Sequence, residues 1–163
     1  MKVLIINTNR LRSPQTVLPL GACCIASAAE AAGNDVRFLD LTFRPHPEAA
    51  VSEDIKCFEP DVIGISVRNL DNCDYLHPHS YLPEIRKIVE ACRSASRAVI
   101  VAGGAAVGLA SEMIAGYLGC DLAVAGEGET AFPLLLEEIA AGRTVDKIRE
   151  ERQAYTAYKH RRS

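Results

Sequence analysis

The strongest constraint on this chain is a repeated alternation. Short β-rich runs are followed by helix-compatible segments five times between residues 2 and 142. The predicted strands are "KVLIIN" (2–7), "DVRFLDL" (35–41), "DVIGISV" (61–67), "AVIVAGG" (98–104) and "CDLAVAG" (120–126). The predicted helices cover 20–33, 48–59, 81–93, 110–119 and 130–142. Apolar residues recur at helical spacing in them, as Leu82, Ile85, Val89 and Cys92 do. Gly33 and Gly142 stand as carboxyl-terminal stops, Pro60 ends the second helix, and Thr130 is placed to cap the fifth. Five βα units imply a parallel sheet covered by helices on both faces. The third to fifth runs are the most continuously apolar and are expected in the middle. The second alternates apolar with polar residues and is expected at an edge. The fold class is therefore α/β, a flavodoxin-like (Rossmann-like) doubly wound five-stranded sheet of order 2-1-3-4-5. A barrel would need eight units.

A chain of 163 residues that is 48% hydrophobic can bury one sizeable core. The predicted domain runs from 1 to 142, and the polar stretch 143–163 is read as a tail or the start of a linker. A net charge of −3 offers no nucleic-acid surface. No run approaches the roughly 18 apolar residues of a membrane span, and no signal peptide is apparent, so a cytoplasmic location is expected. The six cysteines form no C-x-x-C pair, and the simplest reading makes them core thiols or exposed bystanders.

In an open parallel sheet, ligands bind beyond the carboxyl ends of the strands. Four loops should gather there: "NTNRLRSPQTVLPLG" (7–21), "RNLDNCDYLHPHS" (68–80), "GGAAVG" (103–108) and "GEGET" (126–130). The third strand stops abruptly on polar Arg68, Asn69, Asp71 and Asn72. Such a cluster suits either a polar ligand or an Asx-type turn. Glycines at strand ends let a bulky ligand approach the backbone. There is no G-x-x-x-x-G-K-[ST], G-x-G-x-x-G after strand one, or G-x-S-x-G elbow. His77 and His79 form an H-x-H in a loop and read as solvated histidines. The residues alone point to a domain that binds a large, partly polar small molecule.

Taken in order, "LPLG", "DVRFLDL", "DVIGISVRNLDN", "VIVAGG" and "DLAVAGEGETAFPLLL" resemble the amino-terminal cobalamin-binding domain of B12-dependent radical SAM enzymes over roughly residues 2–140. The resemblance implies a corrin ring over the carboxyl edge of the sheet and a nucleotide tail descending beside the core. By motif, the corrin and its amides would meet Ser66, Val67, Arg68 and Asn69. The tail would pass Gly103 and Gly104. Gly126, Glu127 and Gly128 would border the same edge, with Thr8, Asn9, Pro19 and Gly21 on the first-strand side. The D-x-H-x-x-G motif that gives cobalt a lower histidine is missing. So is any C-x-x-x-C-x-x-C, so an iron–sulfur cluster is not expected in this chain. The implied function is a cobalamin-holding module, not catalytic alone, serving a fused or separate radical SAM catalytic domain. Two other readings stand beside it. One is a flavin- or nucleotide-binding protein of the same fold. The other is a non-binding interaction domain, in which the basic "AYTAYKHRRS" would carry more weight.

Overall fold

The computed structural model describes residues 1–151, so the "AYTAYKHRRS" segment lies outside the described residues. The strands are β1 (Lys2–Asn7), β2 (Asp35–Asp40), β3 (Val62–Ser66), β4 (Val99–Gly103) and β5 (Leu122–Ala123). They form one parallel sheet in the order β2-β1-β3-β4-β5. The helices are α1 (Leu20–Ala31), α2 (Pro47–Phe58), α3 (Leu82–Ala95), α4 (Ser111–Leu118), α5 (Gly128–Ala140) and α6 (Val145–Glu151).

Side-chain alternation divides the core in two. Leu4, Ile6, Ile63, Ile65 and Ile100 pack against α2, α3 and α4. Val3, Ile5, Val62 and Val101 pack against α1, α5 and α6. Fully burying each such side chain stabilises the fold by about 1.5–3 kcal/mol, so a one-residue slip of any central strand would exchange both faces at once. The thiols of Cys92 and Cys120 sit in this core, and burial pushes both up to about 12. They are packing groups rather than nucleophiles.

Three features differ from readings of single segments. β5 is an edge strand, as the expected order 2-1-3-4-5 has it, and its register pairs extend over Leu122 and Ala123; its apolar run, taken alone, points to the middle. Beyond β5, Val124 N still donates to Ala102 O of β4 at 2.8 Å, and Val124 packs in the α1/α5 core, so apolarity there reflects helix cover rather than a central position. Secondly, α5 begins at Gly128 and Thr130 lies inside its first turn; Glu127 is the cap residue and supplies no side-chain cap bond. Thirdly, the polar stretch after Gly142 does not run on as an extended tail. Val145–Glu151 form α6, whose Ile148 is 1% exposed and whose Arg149 Nη2 donates to Asp121 O at 2.6 Å. One buried side chain in a polar segment gives too little periodicity to be read as a helix. Among the described residues, no helix is long and apolar enough to cross a membrane.

Candidate functional site

Strand register sets the site. The last paired residues of four adjacent strands stand in one row across the carboxyl edge: Asp40, Asn7, Ser66 and Gly103. Beyond this row the chain turns into the loops that cover the edge. Thr8 closes the gap between β1 and β3, with Oγ1 donating to Ser66 O at 2.7 Å. Val67 N donates to Gly103 O at 2.7 Å, and Val67 O accepts from Ala106 N at 3.2 Å.

A buried polar cluster anchors the first-strand side. Asn7 and Thr42 are 2% and 1% exposed. Asn7 Nδ2 donates to Asp40 Oδ1 at 2.8 Å, and Thr42 Oγ1 lies 2.7 Å from that oxygen. Thr42 N donates to it as well, at 3.0 Å. Thr42 Oγ1 is also 3.1 Å from Asn9 O, and Asn9 N donates to Asn7 Oδ1. The cluster thus fixes the start of the loop that carries Thr8 and Asn9. Burial alone would raise the Asp40 carboxyl; donation from Thr42 and Asn7, with Arg44 nearby, outweighs it and holds the group below the ordinary carboxylate value.

The sign of this shift gives a prediction. A carboxylate depressed in the folded state stabilises fully above its ordinary range and loses that contribution as pH falls through the lower folded value. Melting temperatures followed from pH 7 into acid should fall more steeply in the wild type than in Asp40→Asn, whose amide cannot take up the proton. Parallel curves would show that Asp40 plays no such part.

Two clefts open at the edge. The first holds about 600 Å³ and enters on the α1/α5 face. Its floor includes Ile5, Gly64 and Val101, with Ala22, Ile25 and Phe132 along the helices. Its rim includes Asn9, Pro19, Gly21, Ser66, Arg68, Gly103, Gly104, Gly126 and Gly128. The small residues matter individually. A Cβ on Gly128 would lie 2.6 Å from Ile25 Cδ1, so this glycine brings α5 close to α1. A Cβ on Gly103 would meet only Val124 O, at 3.8 Å, so the groove above it is open space. Leu18 and Leu20, beside the mouth, are 83% and 70% exposed. The second cleft, about 590 Å³, enters on the α2/α3 flank and shares Asn9 and Arg68 with the first.

Most of the residues picked from sequence therefore converge. Nine of them stand on the rim of the first cleft, and Thr8 and Asn69 line the second. Two do not line either. Val67 is wholly buried in the core, with both backbone polar groups used inside the protein. Glu127 is exposed at the start of α5, outside both linings. The polar cluster after β3 also divides. Arg68 and Asn69 face the clefts, whereas Asp71 and Asn72 brace their own loop: Asp71 Oδ1 accepts from Cys73 N at 2.8 Å, and Asn72 Nδ2 donates to His77 O at 2.8 Å. His77 stands 3.8 Å from Asp74 and His79 3.6 Å from Glu84, both on exposed sites. Sequence reasoning missed the groove floor. Gly64, mid-strand in "VIGIS", was its one visible signal, since a glycine inside a buried strand marks close approach.

An open parallel sheet with a deep, largely apolar groove at its carboxyl edge and polar groups around the mouth defines a domain that binds a sizeable small molecule. Comparison with known proteins specifies which. The family model for the B12 binding domain matches residues 6–136, and the chain belongs to that family. It is 27% identical over 147 residues to a tryptophan 2-C-methyltransferase of Streptomyces laurentii, covering 90% of this chain and 24% of that protein. It is 28% identical over 156 residues to a hopanoid C-3 methylase of Methylococcus capsulatus, covering 91% and 28%. Among solved structures, the radical S-adenosylmethionine methyltransferase TsrM of Kitasatospora setae, with cobalamin and a [4Fe-4S] cluster bound, superposes with a TM-score of 0.82 at 28% identity, over 88% of this chain and 25% of that one. The cobalamin-dependent radical enzyme OxsB shares the fold, with a TM-score of 0.69 at 17% identity. The chain spans about a quarter of the length of the curated relatives it matches. The expected family, fold and cobalamin cofactor are thus borne out.

Proposed function

We propose that this domain holds cobalamin with the corrin over the Asp40–Asn7–Ser66–Gly103 row and the nucleotide tail in the α1/α5 groove. It would present the cofactor to a radical SAM catalytic domain, fused or separate. The observation that carries this reading is the groove itself. It begins at the strand ends and runs inward between α1 and α5, with Gly64 on its floor and, on its rim, Gly103, where a Cβ would meet only Val124 O. Ser66, Arg68 and Asn69 would meet the corrin amides, with Thr8 and Asn9 on the first-strand side. Pro19, Gly21, Gly103, Gly104, Gly126 and Gly128 would border the tail. Val67 would act from below, fixing the backbone that carries Arg68. Glu127 would border the edge without lining the groove.

When bound, cobalamin would supply a cobalt centre able to carry a methyl group. The chain's own residues do the binding. Backbone donors and acceptors in the edge row are already paired across the strands, so the surface offered is rigid. The apolar groove excludes water from the tail. The proposed boundary keeps residues 1–142 as the cofactor-binding unit, with 143 onward leading toward the catalytic partner and α6 folded back on the core.

The test uses the purified chain mixed with hydroxocobalamin in the dark, desalted and examined by visible absorbance. Retained corrinoid at near one equivalent per chain is expected. A colourless protein, with methylcobalamin also lost on desalting, would overturn the proposal.

A further inference from the structure

The second cleft carries charge beyond the Arg68 that the cofactor reading uses. Arg10, Arg12 and Lys87 line it, against the carboxylates of Glu48 and Glu84. That leaves an excess of one fixed positive charge besides Arg68, and Glu84 stands 3.6 Å from His79. With Arg68, the cations come from three separate elements: the loop after β1, the loop after β3, and α3. Convergence from three elements differs from the ordinary solvated face of a single helix.

Arg10 gives an independent sign. Its Nη2 donates to Arg44 O at 3.1 Å, but its Nε is buried and has no acceptor among the described residues. That bond and the buried Nε fix the guanidinium in place, and Arg10 lines the cleft, where charge-assisted bonds to an oxyanion are the strong ones. Arg12 is held with its guanidinium over Phe43, 5.1 Å from the ring centre, and Nε donates to Thr42 O at 3.1 Å. It is preset rather than free to collapse. The amino end of α2 opens on the same cleft through Pro47 and Glu48, and no side chain caps it. A helix amino terminus adds a further preference for negative charge.

We propose that this cleft is a second binding site, for the carboxylate or phosphate group of a small molecule. Its volume of about 590 Å³ suits a metabolite-sized ligand. Arg10, Arg12 and Lys87 make none of the contacts proposed for cobalamin, whereas Thr8, Asn9, Arg68 and Asn69 border both sites.

The experiment titrates the uniformly 15N-labelled chain with inorganic phosphate and, separately, with succinate, at constant ionic strength. The readout is the Nε–Hε resonance of each arginine. A saturable shift centred on Arg10 is expected with at least one anion, and which anion gives it assigns the class. Lys87→Glu should weaken the response at least tenfold while leaving retention of hydroxocobalamin unchanged. Drift that never saturates, equal shifts at all arginines, or an unchanged response in Lys87→Glu would overturn the proposal. Loss of cobalamin retention in the wild type would bear on the cofactor reading alone.

Discussion

Gly103→Leu is expected to leave the domain folded and to cost it cobalamin. Gly103 ends β4, and its φ lies outside the left-handed region, so an L-residue fits the backbone there. A Cβ would meet only Val124 O at ordinary contact distance, 3.8 Å. The added side chain would therefore point into the groove rather than into protein atoms. Stability should stay within about 1 kcal/mol of the wild type, because replacing a strand glycine recovers backbone entropy while an apolar group is left in a partly open cleft. Binding should suffer far more. Forcing extra methyl groups into a filled site typically costs about 1–3 kcal/mol, or roughly fivefold to 150-fold in affinity. Titration by visible absorbance, paired with thermal melts, separates the two effects. A leucine variant that binds hydroxocobalamin as tightly as the wild type would remove the groove from the cofactor's path.

The contrast between Gly103 and its neighbour shows what was legible in the sequence. The alternation of β-rich and helical runs was enough for the sheet order, because parallel βα units admit few arrangements and the amphipathic second run marked an edge. The carboxyl-edge position of the site followed from that topology and needed no side-chain detail. The pair "GG" was visible as a point of close approach, but not which ligand-side and which protein-side role each glycine has. That depends on φ and on Val67, which stands 37 positions away from Gly104 in the chain and next to it in space. The same limit applies to "RNLDN". Arg68 and Asn69 look toward the clefts while Asp71 and Asn72 tie their own loop, a division made by hydrogen bonds that composition cannot display. The anchoring cluster of Asn7, Asp40 and Thr42 was hidden for a related reason. It joins the ends of two strands 33 residues apart, and register alone brings the Asn and the Asp together.

Gly104→Ala should be the most destabilising single change at the edge. Gly104 has φ +103, a conformation L-residues rarely adopt, which costs about 1–2 kcal/mol before any contact is counted. A Cβ would also lie 2.6 Å from Val67 O and 3.0 Å from Val67 N. Both are backbone atoms with no rotamer to yield. Val67 cannot easily retreat: its N is bonded to Gly103 O, its O accepts from Ala106 N, and its side chain is wholly buried. Relieving the clash means breaking at least one of those bonds, worth about 0.5–1.5 kcal/mol, and opening core packing as well. A total near 3 kcal/mol is a large share of the about 5–15 kcal/mol that holds a domain together. At about 2–4 °C per kcal/mol for a chain of this size, the melting temperature should drop by roughly 6–12 °C. Cofactor affinity should fall with it, because Val67 sets the position of Arg68 and Asn69. The order of effects distinguishes the two glycines: Gly103→Leu loses binding with stability kept, and Gly104→Ala loses stability first. An alanine variant melting within about 2 °C of the wild type would mean that the β3 and β4 ends are not locked together through Val67, and that the rigidity ascribed to the edge row has another source.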